Sequence, residues 1–495
     1  MENIWIGITT SLEPINLLFN VFGVIVGIIV GAIPGMSGPM AIALFIPATF
    51  AMDPIPAVIF FTAIYCGSTF GGSVSAILLN IPGTSAAAAT CLDGNQLAKQ
   101  GMAGKALGTA ALTSAIGGVF SCVVLLLCAP LLADFALAFG PTEYFVLAAM
   151  GISAISSLGA QSQLKSLLSA CIGLFLATIG MDALTGQARF TFGQMFLLDG
   201  IGFIPALIGL FAITEVFASF NITGPVEILD SKVKTVLPTV AELLKIKWTV
   251  FKSMIIGTWV GILPGEGATV AAFLSYAEAM RSSKTPEKFG TGILEGIAAP
   301  EAANNAAVGG SYVPTMALGI PGSATAAVLL GALTLHGITA GPLLFINQTK
   351  FAYGVIMAMF ISNALFLILG IFTTRYFAKV LDIRFSILGP AIIMFAVLGT
   401  YTLRNNVFDI WLMLFFGLLG LVMREVKLPV APFILGLVLG PMLEINLRRG
   451  ILVHDGLINA LLCSPVAIVL EVITVGMALM PIYKGIKARV RNQEI

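Results

Sequence analysis

Two Pro-Gly pairs interrupt long apolar stretches and are each followed by hydroxyl side chains. Residues 318–325 read LGIPGSAT, inside the 48-residue run 302–349 that has no Asp, Glu, Lys or Arg. Residues 79–85 read LNIPGTS, inside the uncharged run 54–92. Proline removes a backbone donor, and glycine permits φ > 0 or a close backbone approach. We therefore expect broken helices at these points, and broken helices are how transporters expose backbone groups to a substrate.

The side chains at these breaks are neutral and polar, which suits an anion held by helix ends together with a cation. A helix N-terminus offers unpaired N–H groups to a carboxylate, whereas unwound carbonyls and hydroxyls suit Na⁺. The predicted substrate-binding residues are Ser37, Asn80, Gly83, Thr84, Ser85, Asn304, Asn305, Gly322, Ser323 and Thr325. Na⁺ is predicted near Gly35, Ser68, Gly265, Glu301 and Thr315. The alternative for each hydroxyl is a hydrogen bond to its own helix.

Three acidic residues stand inside or beside apolar segments. Glu266 follows the Pro-Gly pair 264–265, Glu301 precedes Asn304, and Glu471 lies in the last apolar segment. An ionisable group within the membrane is by default a functional hypothesis. For Glu471, contact with a partner subunit or another helix is an equal alternative.

Several kinds of chemistry have no signature in this chain. It has two histidines, no H-E-x-x-H and no G-x-x-x-x-G-K-[ST], which argues against a metalloprotease and an ATP-driven pump. Six cysteines form no C-x-x-C pair and are read as small core residues. No clustered nucleophile and base is present, so we predict a protein that is not an enzyme and has no cofactor beyond a coupling ion, Na⁺ or H⁺. The net charge of +1 argues for no particular partner, and we expect no nucleic acid.

The composition is that of an integral membrane protein. Hydrophobic residues make up 58% of the 495 residues and charged residues 10%, against about 25% charged in soluble proteins. Mean hydropathy is +1.02. The runs 14–52 and 54–92 each have 39 residues, too many for one spanning helix of roughly 20. We predict an all-α polytopic membrane protein with broken or re-entrant hairpins, about 10–12 membrane segments and one extra C-terminal helix.

An internal repeat relates the two parts of the chain. Residues 27–35 match residues 257–265 at an offset of 230, and the Pro-Gly pair 82–83 matches 321–322 at 239. The offset drifts slowly, as diverged halves with small insertions would show. We predict a first half at 1–227, a hydrophilic linker at 228–250, a second half at 251–455, and a C-terminal helix with a basic tail at 456–495.

Lysine and arginine predict the orientation. The linker and the tail are rich in lysine and arginine and are placed in the cytoplasm, whereas the N-terminus carries Glu2 and Glu13 and lacks the basic start of a signal peptide. The halves are then inverted, and the extra segment returns the tail to the cytoplasm. Arg448 and Arg449 argue against this placement.

Long motifs resemble one family. Residues 300–307 (PEAANNAA), the pair 309–310 (GG) and residues 318–326 (LGIPGSATA) resemble the large membrane subunit of tripartite tricarboxylate transporters, the TctA family. In the first half, residues 71–73 (GGS), 82–83 (PG), 92–94 (LDG) and 99–101 (KQG) are similar, so the resemblance covers essentially the whole chain.

The resemblance implies a secondary-active permease in the bacterial inner membrane that imports tricarboxylates or related carboxylates. It also implies a small TctB-like membrane subunit and a periplasmic, TctC-like solute-binding protein. The residues alone leave open a stand-alone transporter or channel for another small organic anion, or a membrane-embedded enzyme.

Overall fold

The computed structural model describes residues 2–158, 163–219, 236–265, 267–372 and 385–478, and these are almost entirely helical. The helices are α1 (Glu2–Ser11), α2 (Pro14–Ala32), α3 (Gly38–Thr49), α4 (Pro54–Leu79), α5 (Ala88–Leu97), α6 (Ala103–Ala136), α7 (Pro141–Leu158), α8 (Gln163–Ala177), α9 (Phe203–Leu207), α10 (Thr214–Ser219), α11 (Val240–Ile262), α12 (Gly267–Ser282), α13 (Leu294–Leu318), α14 (Ala324–Leu335), α15 (Leu344–Asn347), α16 (Thr349–Phe372), α17 (Phe385–Arg404), α18 (Val407–Glu425), α19 (Val430–Val453), α20 (Leu457–Leu461) and α21 (Pro465–Ala478). Strands β1 (Gly180–Met181) and β2 (Ala188–Arg189) form an antiparallel hairpin.

Length and composition confirm an all-α polytopic membrane protein. Six helical stretches of the described chain are long and apolar enough to cross a bilayer, and six shorter apolar helices accompany them. Helix α4 is enclosed by other helices along its spanning length, so it forms the centre of the molecule.

Glycines set the packing of α2 on α4. A Cβ on Gly27 would lie 2.6 Å from the carbonyl oxygen of Ile64, and one on Gly31 would lie 2.2 Å from that of Ser68. Small residues let two backbones approach this closely in a membrane. Because both positions advance together along the two helices, α2 and α4 run parallel. The chain between them, which contains α3, must therefore run in the opposite direction, so α2 and α3 form a broken hairpin.

The second half repeats these contacts. A Cβ on Gly257 would lie 2.2 Å from the carbonyl oxygen of Ala303, and one on Gly261 would lie 2.4 Å from that of Ala307. The glycines are 230 positions from Gly27 and Gly31, and their partners are 239 positions from Ile64 and Ser68. Helices α11 and α13 therefore run parallel, and the chain that joins them, which contains α12, runs in the opposite direction. This matched packing supports the predicted repeat.

The central helices of the two halves cross in opposite directions. Tyr312 of α13 donates a hydrogen bond of 2.9 Å to Thr62 of α4, whereas Glu301 of α13 lies beside Ser73 of α4. From the first contact to the second, the residue number increases along α4 and decreases along α13, so the two helices are antiparallel. These directions support the inverted relation of the halves, which stays a prediction together with the domain boundaries. Linker residues 228–235 lie outside the described residues.

The polar stretch 93–105 is a helical connection between α5 and α6. Helix α5 continues through a wide helical turn, Ala98–Met102, into α6, with one kink at Gly101 (φ 81°). Asp93 is completely buried. Its carboxylate accepts hydrogen bonds from the backbone N–H groups of residues 290, 292 and 293 and from the Tyr276 hydroxyl. The acid therefore pairs the free N–H groups before α13 and ties the two halves together.

We expect Asp93→Asn to destabilise the fold. An amide cannot accept all of these bonds, and a buried donor left without a partner costs about 1–3 kcal/mol. The melting temperature in detergent should fall, whereas Asp134→Asn, at an exposed position, should leave it unchanged. Equal melting temperatures for both variants would mean that Asp93 does not hold the halves together.

Candidate substrate site

Broken helix ends from both halves meet around one cavity. The loops before α3 and α5 come from the first half, and the starts of α12 and α14 come from the second. The cavity has a volume of about 430 Å³. Its walls include nine of the fifteen predicted positions: Gly35, Ser37, Ser68, Gly83, Thr84, Ser85, Asn304, Ser323 and Thr325. The two Pro-Gly breaks, 239 residues apart in sequence, thus share one site.

Close approach, and not φ > 0, explains Gly83 and Gly322, whereas Gly35 (φ 86°) and Gly265 (φ 152°) of the other two Pro-Gly pairs do have positive φ. A Cβ on Gly83 would lie 2.0 Å from the carbonyl oxygen of Gly31, and one on Gly322 would lie 2.7 Å from that of Gly261. Beside the breaks at Gly83 and Gly322, the left-handed residues are the C-caps of α4 and α13, Asn80 (φ 57°) and Gly319 (φ 71°).

Three helix N-termini face the cavity, at the starts of α3, α12 and α14, and the loop that leads into α5 also lines it. Each helix has ten residues or more. The Ser323 hydroxyl caps α14 by accepting the N–H of Ala326 at 3.1 Å, whereas the Ser37 side chain makes no such cap. Among the described residues that line the cavity, none is charged. The described part of the site is therefore neutral in formal charge, and the partial positive charges of the helix N-termini lie beside it, which favours an anion.

A pseudo-equivalent pair, Tyr65 and Asn304, makes the site asymmetric. The Tyr65 hydroxyl lies 2.8 Å from the Ser323 hydroxyl and so bridges the halves. The offset of 239 pairs Tyr65 with Asn304 and Ser323 with Thr84. Asn304 is 1% exposed, yet neither its Oδ1 nor its Nδ2 has a hydrogen-bond partner among the described residues. Asparagine is shorter than tyrosine, so the Asn304 amide stays buried at the cavity wall without reaching a partner. A buried polar group of this kind is suited to bind a ligand in the cavity.

Of the other predicted hydroxyl groups, some bond their own helix and one bonds across the two halves. Ser68 bonds the Tyr65 carbonyl at 3.1 Å and Thr315 bonds the Ser311 carbonyl at 2.6 Å, as the own-helix alternative predicts. Ser85 instead bonds Thr269 across the halves at 2.7 Å.

Three predicted substrate residues do not line the cavity. Asn80 is exposed at the end of α4. Asn305 donates to the Glu301 carbonyl at 3.1 Å and lies in a separate small gap. Gly322 lies behind the cavity wall, against Gly261.

The five predicted Na⁺ positions are not brought together. Gly35 and Ser68 line the cavity, Gly265 donates its N–H to the Gly322 carbonyl at 3.1 Å, and Thr315 accepts from the Gly322 N–H at 3.3 Å. Glu301 belongs to a separate buried cluster. In the described part of the chain, no three His, Cys, Asp or Glu side chains are grouped as metal ligands.

The other two acids stand apart. Glu471 on α21 keeps one carboxylate oxygen buried without a partner in the described structure, and it does not line the cavity. Glu266 lies outside the described residues.

Sequence reasoning missed Tyr65 and Thr269 as residues of the cavity wall. The signal for Tyr65 was available, because the constant offset aligns it with Asn304. Thr269 had a weaker signal, namely its position three residues into the helix that follows the second-half break.

Comparisons with known proteins agree with this architecture. The model of the tripartite tricarboxylate transporter TctA family matches residues 17–435. An uncharacterized 52.8 kDa protein in the TAR-I ttuC' 3' region of Agrobacterium vitis is 38% identical over 478 residues, which is 97% of this chain and 95% of that protein. An uncharacterized protein in the TAR-II ttuC' 3' region of the same organism is 40% identical over 228 residues, 46% of this chain and 94% of that protein. No solved structure matches the chain. The family is one of transporters and not of enzymes, and the match over most of its length shows that this chain belongs to the TctA family, the membrane component of tripartite tricarboxylate transporters.

Proposed function

We propose that this chain is the permease subunit that carries tricarboxylates or related carboxylates into the cell with a cation gradient. It works in the bacterial inner membrane with a TctB-like small subunit and a TctC-like periplasmic binding protein. One observation carries the proposal: a cavity at three helix N-termini that has no charged side chain among its described residues and has the buried amide of Asn304 in its wall.

The site suits an anion that must be released again. Backbone N–H groups and hydroxyls supply many weak donors, whereas a buried arginine would hold a carboxylate firmly in a bidentate pair. A volume of about 430 Å³ falls within the roughly 300–1,000 Å³ of small-molecule sites. The cavity is therefore large enough for a compact polycarboxylate.

A cation that moves with the substrate follows from the electrostatics. A polycarboxylate brings several negative charges into a site without a positively charged side chain among the described residues. Burial of an uncompensated charge is costly, so neutralising part of it with Na⁺ or H⁺ lowers the barrier to transport.

Reconstitution tests this function. Proteoliposomes that contain the chain with its small subunit and binding protein should accumulate a carboxylate when a Na⁺ or pH gradient is imposed. The chain alone should show negligible uptake at low substrate concentration. High-affinity uptake by the chain alone would instead support the stand-alone transporter, and downhill flux that needs no gradient would support a channel.

Asn304→Ala should weaken substrate binding. Loss of one buried polar contact costs about 1–3 kcal/mol, or about 5- to 150-fold in the substrate concentration for half-maximal uptake. Asn446→Ala is the matched control, because this amide bonds the Met442 carbonyl at 2.8 Å and does not line the cavity. Unchanged kinetics for Asn304→Ala would remove this residue from the substrate site.

Orientation can be checked by labelling. Single cysteines between residues 230 and 252 and between residues 484 and 495 should react with an impermeant reagent from the cytoplasm only, because lysine-rich segments stay inside. A cysteine at Glu2 should react from outside. Labelling of the linker from outside would overturn the inverted arrangement.

A further inference from the structure

A second polar cluster lies behind the cavity, around Glu301 of α13. The carboxyl group is completely buried. The Thr90 hydroxyl of α5 donates a very short hydrogen bond to Oε1, and the Ser114 hydroxyl of α6 donates to Oε2 at 2.8 Å. Ser73 of α4 lies close to the carboxyl but has no hydrogen-bond partner of its own. Three first-half helices thus enclose an acid from the second half.

No positively charged side chain of the described residues pairs with this acid. None of the ion pairs in the described structure includes Glu301, whereas Glu13, Asp182, Glu242, Glu278, Asp409 and Glu444 each pair with Lys or Arg. Among the described residues, the one other titratable group that interacts with the carboxyl is the Cys91 thiol on α5. Helices α4, α6, α11 and α12, which also pack on α13, place no charged side chain beside it within the described residues. A permanently ionised carboxylate in this position would be costly.

From this geometry we propose that Glu301 binds and releases the proton that drives transport. The inference rests on the proposed function and names its coupling ion as H⁺. When Glu301 is ionised, both hydroxyls donate to it. When it takes up a proton, its own O–H donates to one hydroxyl oxygen, which turns its hydrogen elsewhere. The same hydroxyls therefore partner both states, which a fixed lysine or arginine would not allow.

Two short covalent paths connect this proton site with the substrate cavity. Glu301 and Asn304 lie three residues apart on α13, one turn of the helix. Thr90 is the third residue of α5, directly after the loop that carries Thr84 and Ser85 into the cavity. When Glu301 takes up a proton, the direction of the Thr90–Glu301 hydrogen bond reverses. This change reaches the cavity residue Asn304 through α13 and the cavity residues Thr84 and Ser85 through the start of α5.

The repeat indicates one such proton site in each chain. At the offset of 239, Glu301 corresponds to Thr62 and Ser73 corresponds to Tyr312. These two counterparts form the neutral Tyr312–Thr62 hydrogen bond of 2.9 Å. The two pairs that the repeat relates each join α4 to α13, and one of them is ionisable whereas the other is neutral.

The test is Glu301→Gln in the reconstituted complex, because glutamine resembles the protonated acid. We expect accumulation driven by a pH gradient to fall at least about tenfold, while substrate exchange with equal concentrations on both sides stays within about threefold of wild type. Glu295→Gln is the control, because this acid of the same helix is only part-buried, against the Ser283 hydroxyl, and does not touch the cavity.

The outcomes are separable. Full pH-driven accumulation by Glu301→Gln overturns the proton assignment. So does a wild-type complex that accumulates substrate with a Na⁺ gradient and not with a pH gradient, although the proposed function then survives. If Glu301→Gln also loses exchange at wild-type melting temperature, Glu301 belongs to substrate binding and the proposal is wrong. Absence of carboxylate exchange by the wild-type complex would overturn the proposed function itself.

Discussion

Gly83→Val and Gly322→Val should each abolish uptake while the protein still reaches the membrane. A Cβ at Gly83 would meet the Gly31 carbonyl oxygen at 2.0 Å, and one at Gly322 would meet the Gly261 carbonyl oxygen at 2.7 Å. Contacts this short with backbone cannot be relieved by a side-chain rotation, so the Pro-Gly loop must move away from its helix. That movement displaces the hydroxyls and the helix ends that form the cavity.

The measurement is uptake at matched expression, with membrane insertion checked by blotting. Gly476→Val on α21 is the matched control, since no atom lies within 4 Å of its added Cβ and its φ is not positive. Wild-type uptake in both variants would mean that the breaks serve packing alone and that the substrate binds elsewhere.

Much of this architecture could be predicted because its causes are local. Proline and glycine at 34–35, 82–83, 264–265 and 321–322 break helices wherever they stand in an apolar run. The fixed offset between matching positions then indicates that the breaks occupy related places, and the structure does bring them to one cavity. Backbone chemistry and repetition are both visible without knowledge of tertiary contacts.

The partners of individual polar groups could not be predicted, because they depend on distant segments. Asp93 reads as a solvated loop residue until the N–H groups before α13, nearly 200 positions away, are placed against it. Asn304 and Asn305 are neighbours in sequence, yet one lines the cavity and the other bonds its own helix. Successive residues on a helix point about 100° apart, and packing alone decides which direction is the cavity.

Asn80 shows how one sequence signal can serve two purposes. An asparagine next to Pro-Gly in an apolar run was assigned to substrate binding, and its left-handed conformation instead ends α4. Asparagine tolerates this conformation better than most residues, and Gly319 does the same at the matched position of α13. The repeat could have suggested this, because glycine at the counterpart favours a conformational role.

Asn304→Tyr should block transport. At the matched position, Tyr65 fills its side of the site and reaches Ser323 at 2.8 Å. A tyrosine at 304 should likewise extend toward Thr84, occupy much of a cavity of about 430 Å³ and cover the neighbouring helix end. Uptake should fall at least about 100-fold, equivalent to about 2.8 kcal/mol.

Tyr65→Phe is the contrasting variant, because it keeps the ring and removes only the hydroxyl, which lies 2.8 Å from the Ser323 hydroxyl and 3.3 Å from the Ser311 hydroxyl. The shorter bond, to Ser323, is the one at the cavity, and its loss costs about 0.5–1.5 kcal/mol, so uptake should fall about 2- to 13-fold. Melting temperatures of both variants separate a blocked site from a damaged fold. If Asn304→Tyr is folded and transports as well as wild type, the free amide marks a packing gap and the substrate does not pass beside it. If it blocks transport and leaves the melting temperature unchanged, the asymmetry between Tyr65 and Asn304 is what keeps this neutral site open on one side.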